Sequence, residues 1–299
     1  MKSPLTAAVL AAASLLTSLP ASAGLTEHEQ EVAAWRARRV ERLTAPDGWL
    51  SLIGLHWLTS REAIVLGNGP ENDIDLGAGP PRLGKLDWEA DKVWFTAAKG
   101  VKAKVGGEPV SKVELVDDNP GKPTIVEFGS ANFQLIERGD KHALRVKDAQ
   151  APTRTGFSRI DMFDVDPSWR IEAKFETYPE PRMIEVATVS GTLESYPNPG
   201  KIVFERDGKT HSLEALVEDG TEQFFLIMAD RTSGKETYGM ARYLYAGPPK
   251  DGKIVVDFNK AYNPPCVFTA YATCPMPPQG NRLDLAVTAG EKSYQGVMH

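Results

Sequence analysis

The sequence predicts an all-β protein with a short N-terminal helix followed by two β-rich domains. Glycine and proline are frequent, with 26 and 22 residues in a chain of 299, and long helical patterns are rare. Short runs of alternating apolar and polar residues, separated by turn residues, are instead typical of strands. A chain of this length accommodates two ordinary domains. We place a helix at 24–46 and the domains at 47–150 and 155–299.

The first 23 residues have the pattern of an export signal. Lys2 supplies a positive charge, residues 5–19 form a short apolar core, and Ala21-Ser22-Ala23 fits a cleavage site. We therefore expect cleavage before Gly24 and a periplasmic or secreted protein. No later segment is long and apolar enough to cross a bilayer, so we expect no membrane insertion after cleavage.

Charge and motifs exclude several classes of function. The formal net charge of −6 gives the protein no general attraction to nucleic acid, so we expect no nucleic-acid partner. The sequence contains no nucleophile elbow, no metalloprotease motif and no phosphate-binding P-loop. We expect no cofactor.

The helix predicted at 24–46 begins with a capping box in which Thr26 and Glu29 satisfy each other's backbone. Val32, Trp35 and Leu43 follow on one face at helical spacing. The opposite side carries four arginines, which we expect to form a solvated basic face: Arg36, Arg38, Arg39 and Arg42.

Strand patterns continue along the rest of the chain. Residues 170–176 alternate cleanly, and 201–213 read as a hairpin that turns at Asp207-Gly208. The other predicted strands of this kind are 49–58, 223–229, 238–245, 253–258 and 282–288.

The segment VLGNGPENDIDL at 65–76 and the turn VGGEPV at 105–110 resemble the signature of forkhead-associated domains. This resemblance implies a β-sandwich over about 49–148. It does not imply phosphothreonine binding, because Asn68 stands where that family carries an arginine and PPRLGKL replaces its serine and histidine. A phosphate dianion would lack its charge-assisted contacts, so we expect no phosphothreonine recognition.

Five separated motifs resemble the bacterial family called domain of unknown function 1684, in the same order and over nearly the whole mature chain. The resemblance implies no particular chemistry. The motifs are GWLSLIGLHWL, NDIDL, DPSWRIEAKFE, DRTSGKETYGMARYLY and VVDFNKAYNPPCVFTAYATCPMPPQGNRL.

Cys266 and Cys274 are the only cysteines of the chain. They could form a disulfide, hold a metal, or supply a nucleophile. An oxidising compartment favours a disulfide, and their spacing is not that of a usual zinc site. We predict an intramolecular disulfide and no metal site.

Polar residues concentrate between 230 and 282. We expect Asp230, Arg242, Tyr262, Asn263 and Tyr271 to converge beside the cysteine loop. Two interpretations remain open: Arg242 either forms one ion pair inside the domain or lines a polar pocket built from loops. His56 lies in an apolar run and is a further candidate, either as a core histidine or as a tuned site residue.

These observations are compatible with two hypotheses for the function, a binding protein and an enzyme. The first is a non-catalytic periplasmic protein that binds a small ligand or acts as a scaffold. The alternative is an exported hydrolase whose site lies around Asp230, Arg242 and Cys266, and it requires Cys266 to be a free thiol of low pKa.

Overall fold

The structure is a computed structural model that describes residues 25–60, 62–119 and 121–296. The predicted export signal lies outside these residues. The described chain consists mainly of strands in three sheets, preceded by one long helix. The predicted all-β class is confirmed.

Helix α1, Glu27–Thr44, begins with the predicted capping box. The Thr26 hydroxyl accepts the Glu29 amide at 3.2 Å, and the Glu29 carboxylate accepts the Thr26 amide at 2.7 Å. Val32 and Leu43 are buried as predicted. The expectation of a solvated basic face is wrong for Arg39, which is only 7% exposed, because the C-terminal part of the chain covers that side of the helix.

The first half of the chain folds into two facing sheets around one core. Their orders are β1-β11-β10-β9-β6-β7 and β3-β2-β4-β5-β8. Phe95 and Phe133 meet edge to face in this core, with ring centroids 5.3 Å apart. The strands are β1 Leu52–Trp57, β2 Ile64–Gly67, β3 Ile74–Asp75, β4 Gly84–Glu89, β5 Lys92–Ala97, β6 Ala103–Val105, β7 Glu108–Val110, β8 Lys112–Leu115, β9 Ile125–Phe128, β10 Ala131–Arg138 and β11 Lys141–Asp148.

The two segments that suggested this sandwich lie in turns and short strands. Gly106 and Gly107 join β6 to β7, and both have the positive φ that glycine adopts without steric cost. Asn68 is exposed at the end of β2, and its side-chain amide contacts only the Gly79 carbonyl at 3.5 Å. The absence of phosphothreonine recognition stays a prediction.

The second half of the chain forms one six-stranded sheet in the order β16-β15-β14-β13-β12-β17. The short helix α2, Pro152–Thr155, precedes it. The hairpin at Asp207-Gly208 is confirmed, although β13 and β14 are longer than predicted. The strands are β12 Arg170–Ala187, β13 Leu193–Arg206, β14 Lys209–Val217, β15 Phe224–Met228, β16 Arg242–Ala246 and β17 Lys253–Asp257.

Residues 282–288 were predicted as a strand, and the structure corrects this. The segment makes only an isolated bridge between Ala229 and Arg282. Its alternation is real, because Leu283, Leu285 and Val287 are buried in the core of the second half. The carbonyls of Val287 and Ala289, however, accept hydrogen bonds from the buried side chain of Arg242 rather than from a neighbouring strand.

Candidate ligand-binding cleft

A cleft of about 950 Å³ lies where α1, the first sandwich and the C-terminal sheet meet. Trp35 comes from α1, Arg138 and Arg145 come from β10 and β11, and Tyr245 comes from β16. Its volume lies within the range of about 300–1,000 Å³ that is typical of small-molecule sites. All three parts of the fold therefore contribute to one cavity.

One side of the cleft is an aromatic wall formed by five residues of the C-terminal half. The rings of Phe225 and Tyr245 stack at 5.2 Å, and those of Tyr245 and Tyr262 stack at 6.4 Å. Tyr243 meets Phe225 edge to face at 4.9 Å. Burial raises the pKa of all four tyrosines, so the phenols stay neutral. The aromatic wall comprises Tyr196, Phe225, Tyr243, Tyr245 and Tyr262.

Arg39 fixes α1 against this wall. Its Nε lies 3.1 Å from the Glu291 carboxylate, and its Nη2 donates to the Asn263 carbonyl at 2.9 Å. The guanidinium also lies over the Tyr262 ring, 4.8 Å from the centroid. Arg39 is thus paired within the protein, and its role in the cleft is to hold the helix in place.

Arg138 is also paired within the protein. Both of its terminal nitrogens lie 3.0 Å from the Asp118 carboxylate, in a bidentate pair. Its Nε donates to the Thr273 hydroxyl at 3.2 Å, which links the sandwich to the loop before Cys274. This arginine therefore joins the two halves of the chain beside the cleft.

Arg145 reaches the cleft because of strand alternation along β11. Leu144 and Val146 point into the core of the sandwich, so the side chain between them points to the opposite face of the sheet. There Arg145 lies over the Trp49 ring at 5.2 Å and lines the cleft. It is only 6% exposed.

The guanidinium of Arg145 lacks the partners that burial normally requires. Its Nε and Nη2 are buried and have no hydrogen-bond partner among the described residues. Burial, followed by the nearby charge of Arg138, lowers the pKa of Arg145 to about 10, so the group stays protonated at neutral pH. Nε and Nη2 form the side of a guanidinium that binds a carboxylate or phosphate bidentately. The two donors without a partner therefore have the chemistry of an anion-binding group.

Two carboxylates of the cleft are hydrogen-bonded to the aromatic wall. Glu194 accepts the Tyr196 hydroxyl at 2.6 Å and lies 3.6 Å from the Arg138 Nε. Glu218 accepts the Tyr245 hydroxyl. Burial is the main cause that raises the pKa of Glu218, and the charge of Glu194 raises it further. The cleft is thus lined by the cationic Arg145 and by two acidic residues, Glu194 and Glu218.

Of the predicted site residues, Tyr262 lines the cleft. Asp230 and Arg242 form a fully buried ion pair instead, with 2.7 Å between Oδ2 and Nη2. Arg242 also donates to the Val287 carbonyl at 2.8 Å and the Ala289 carbonyl at 2.5 Å. These contacts match the interpretation of a core ion pair.

The other predicted candidates lie elsewhere. Asn263 is fully buried, and its side chain donates to the Lys292 carbonyl at 2.8 Å. Tyr271 is half-buried in the cysteine loop. His56 is half-buried on β1, and burial lowers its pKa. None of the three is among the residues that line the cleft.

The predicted disulfide is not formed, and both cysteines are free thiols. The Cys266 amide donates to the Cys274 Sγ at 3.0 Å, and the Cys266 Sγ lies 3.7 Å from the Tyr238 hydroxyl. Cys274 therefore serves as an acceptor for the backbone of residue 266. A hydrogen bond from Cys274 lowers the pKa of Cys266, whereas burial raises the pKa of Cys274.

The described part of the chain also bears on metal binding and on membrane insertion. No three histidine, cysteine, aspartate or glutamate side chains there are grouped so that they could hold a metal ion. No helix among the described residues is long and apolar enough to cross a membrane.

The sequence interpretation missed Arg145 and Glu218. The signal for Arg145 is a charged residue inside the apolar strand segment ALRV at 143–146, where a guanidinium cannot avoid burial. Glu218 offers no comparable signal, because it lies in the acidic turn VEDG at 217–220, which reads as solvated.

The C-terminal part of the chain is similar to a known protein family. The model of the family described as protein of unknown function (DUF1684) matches residues 155–292. The match covers a little under half of the chain and shows that these residues are similar to the DUF1684 family. The predicted resemblance is therefore confirmed for the C-terminal part of the chain, which supplies the aromatic wall, Glu194 and Glu218 of the cleft. No curated protein matches the chain significantly.

Two solved structures resemble parts of the chain. An uncharacterized protein of Haloarcula marismortui, solved by NMR, is 33% identical over 46% of this chain and 78% of its own, with a TM-score of 0.40. A structure titled Rv0020c FHA is 12% identical over 32% of this chain and 91% of its own, with a TM-score of 0.21. The DUF1684 match itself names no activity.

Proposed function

We propose that the protein is an exported, non-catalytic binding protein that takes up an organic anion in the cleft. The single observation that carries the proposal is the buried Arg145 guanidinium, whose Nε and Nη2 have no partner among the described residues. A buried charge without a partner destabilises the folded protein, and a bound anion would supply the acceptors that Arg145 lacks. The aromatic wall beside it would contact the apolar body of that ligand.

A hydrolase built on Asp230, Arg242 and Cys266 has less support. The Asp230 carboxylate is already occupied, because Arg242 and the Thr232 hydroxyl donate to it at 2.7 and 2.6 Å. Cys266 is not among the residues that line the cleft. Neither Cys266 nor the buried ion pair of Asp230 and Arg242 thus lines the cleft in which a substrate could be held.

Titration calorimetry with 3-phenylpropionate and phenyl phosphate tests the proposal, with uncharged 3-phenylpropanol as the comparison. We expect at least one anion to bind and the alcohol to bind at least about tenfold more weakly. Arg145→Met should weaken anion binding by about tenfold or more, which is about 1.4 kcal/mol. Arg145→Lys should also weaken it, because an ammonium cannot form the bidentate fork.

Stability distinguishes this role from a structural one. Arg145→Met removes a buried charge that lacks a partner, so the melting temperature should stay the same or rise. Lys141→Met is the matched control, since Lys141 is exposed on the same strand and is not among the cleft residues; it should leave binding unchanged. Anion affinity that survives Arg145→Met, or no binding of either anion, would overturn the proposal.

Export is the second part of the proposal. It is supported by the Lys2 charge, the short apolar core and the Ala21-Ser22-Ala23 cleavage pattern. N-terminal sequencing of the protein from the periplasm or medium should begin at Gly24. Recovery of only the uncleaved chain from the cytoplasm would contradict export and would leave the cleft proposal standing.

A further inference from the structure

We infer that the ligand of the cleft is a short zwitterionic peptide with an aromatic side chain. Its carboxylate would bind Arg145, and its ammonium group would lie against Glu218. This inference rests on the proposed function, because it assigns the second end of the same ligand.

Glu218 is the counterpart of Arg145 in the cleft. It follows β14 in a turn, is half-buried, and lines the cavity. Its one hydrogen bond comes from the neutral Tyr245 hydroxyl. No arginine, lysine or histidine of the described chain forms an ion pair with it, although a carboxylate removed from water gains most from a cation.

The other charged groups buried around the cleft are paired within the protein. Arg39 contacts Glu291, and Arg138 contacts Asp118. Asp257 contacts His28 at 2.9 Å and Lys260 at 3.6 Å. Of the described residues that line the cleft, Arg145 and Glu218 are thus the two desolvated charges of opposite sign that have no ionic partner. A ligand that carries both complementary charges satisfies both groups.

The aromatic wall specifies what lies between the two charged ends. Tyr245 donates to Glu218 and stacks on Phe225, so the acidic end is continuous with the wall. Ring faces of tyrosine attract an ammonium group as well as an aromatic side chain. The cleft of about 950 Å³ is larger than a single amino acid requires, which favours a short peptide.

The dipeptide Phe-Phe and its two capped forms test this assignment by calorimetry. N-acetyl-Phe-Phe keeps only the negative end, and Phe-Phe-amide keeps only the positive end. We expect the free dipeptide to bind best. Acetylation should weaken binding about tenfold in the native protein and have almost no effect in Glu218→Gln. Amidation should weaken it about tenfold or more in the native protein and have almost no effect in Arg145→Met.

Glu222→Gln is the matched control, because Glu222 is exposed in the same loop and is not among the cleft residues. It should preserve the discrimination between free and acetylated dipeptide. If the acetylated form binds as well as the free dipeptide, or if no form binds while 3-phenylpropionate does, the inference is overturned and the anion site stands. If amidation has no effect while the simple anions still bind through Arg145, the inference alone is overturned; if neither the dipeptides nor the simple anions bind, the proposed function fails as well.

Discussion

Replacing Arg242 with methionine should cost about 3–5 kcal/mol of the free energy of unfolding, because it leaves a buried carboxylate without its cation. Arg242 and Asp230 have side chains that are each 1% exposed, and their closest atoms lie 2.7 Å apart. The same guanidinium also satisfies the Val287 and Ala289 carbonyls. In the variant, the Asp230 carboxylate and the two carbonyls would stay buried but would lose the hydrogen bonds that Arg242 donates.

Chemical denaturation of Arg242→Met measures this loss directly. Arg231→Met is the matched control, since Arg231 pairs with Asp284 on the surface, where both side chains are about 60% exposed, and should change stability by at most about 1 kcal/mol. The double variant with Asp230→Asn should recover part of the loss, because the stranded charge is then absent. Near-normal stability of Arg242→Met would contradict a core ion pair.

Replacing Arg39 with methionine is the second large effect that we expect, at about 3 kcal/mol. Glu291 is fully buried, and Arg39 Nε lies 3.1 Å from its carboxylate. The variant also loses the hydrogen bond to the Asn263 carbonyl and the stacking over Tyr262. Helix α1 should therefore become less firmly attached to the C-terminal half.

Hydrogen exchange of the α1 amides, together with denaturation, checks this second prediction. Faster exchange confined to the helix would show that the contact holds α1 in place. Arg38→Met, one residue earlier on the same helix and exposed, should stay within about 0.5 kcal/mol of the native stability. Equal effects of the two substitutions would refute the special role of Arg39.

Much of the fold follows from local patterns. The capping box at Thr26 and Glu29 fixes the start of α1, and alternation at 170–176 predicts the beginning of β12. Such signals depend on neighbouring residues and on the period of the backbone. The failure at 282–288 has the same origin, because burial of alternate residues produces a strand pattern whether or not a neighbouring strand pairs with it.

The cleft was less accessible from the sequence. Arg39 lies among four arginines of one helix, and only the packing of the C-terminal segment decides that Arg39 alone is fully enclosed. Arg145 and Glu218 are 73 positions apart, and no local pattern relates them. For the two cysteines the sequence predicted a contact that the structure lacks. Their spacing and the predicted compartment favour a disulfide, but both are free thiols, and the Cys266 amide donates to the Cys274 Sγ instead.

The cleft has walls from both halves of the chain, with Arg145 on β11 and Tyr245 on β16. A molecule bound between them is therefore a thermodynamic link between the halves. Because such a ligand binds only when the two halves are in contact, a higher ligand concentration makes their separation rarer. Saturating ligand would slow proteolysis of the connecting segment near 149–156 even though it does not contact that segment. The affinity of the cleft for its ligand and the stability of the contact between the two halves are therefore linked.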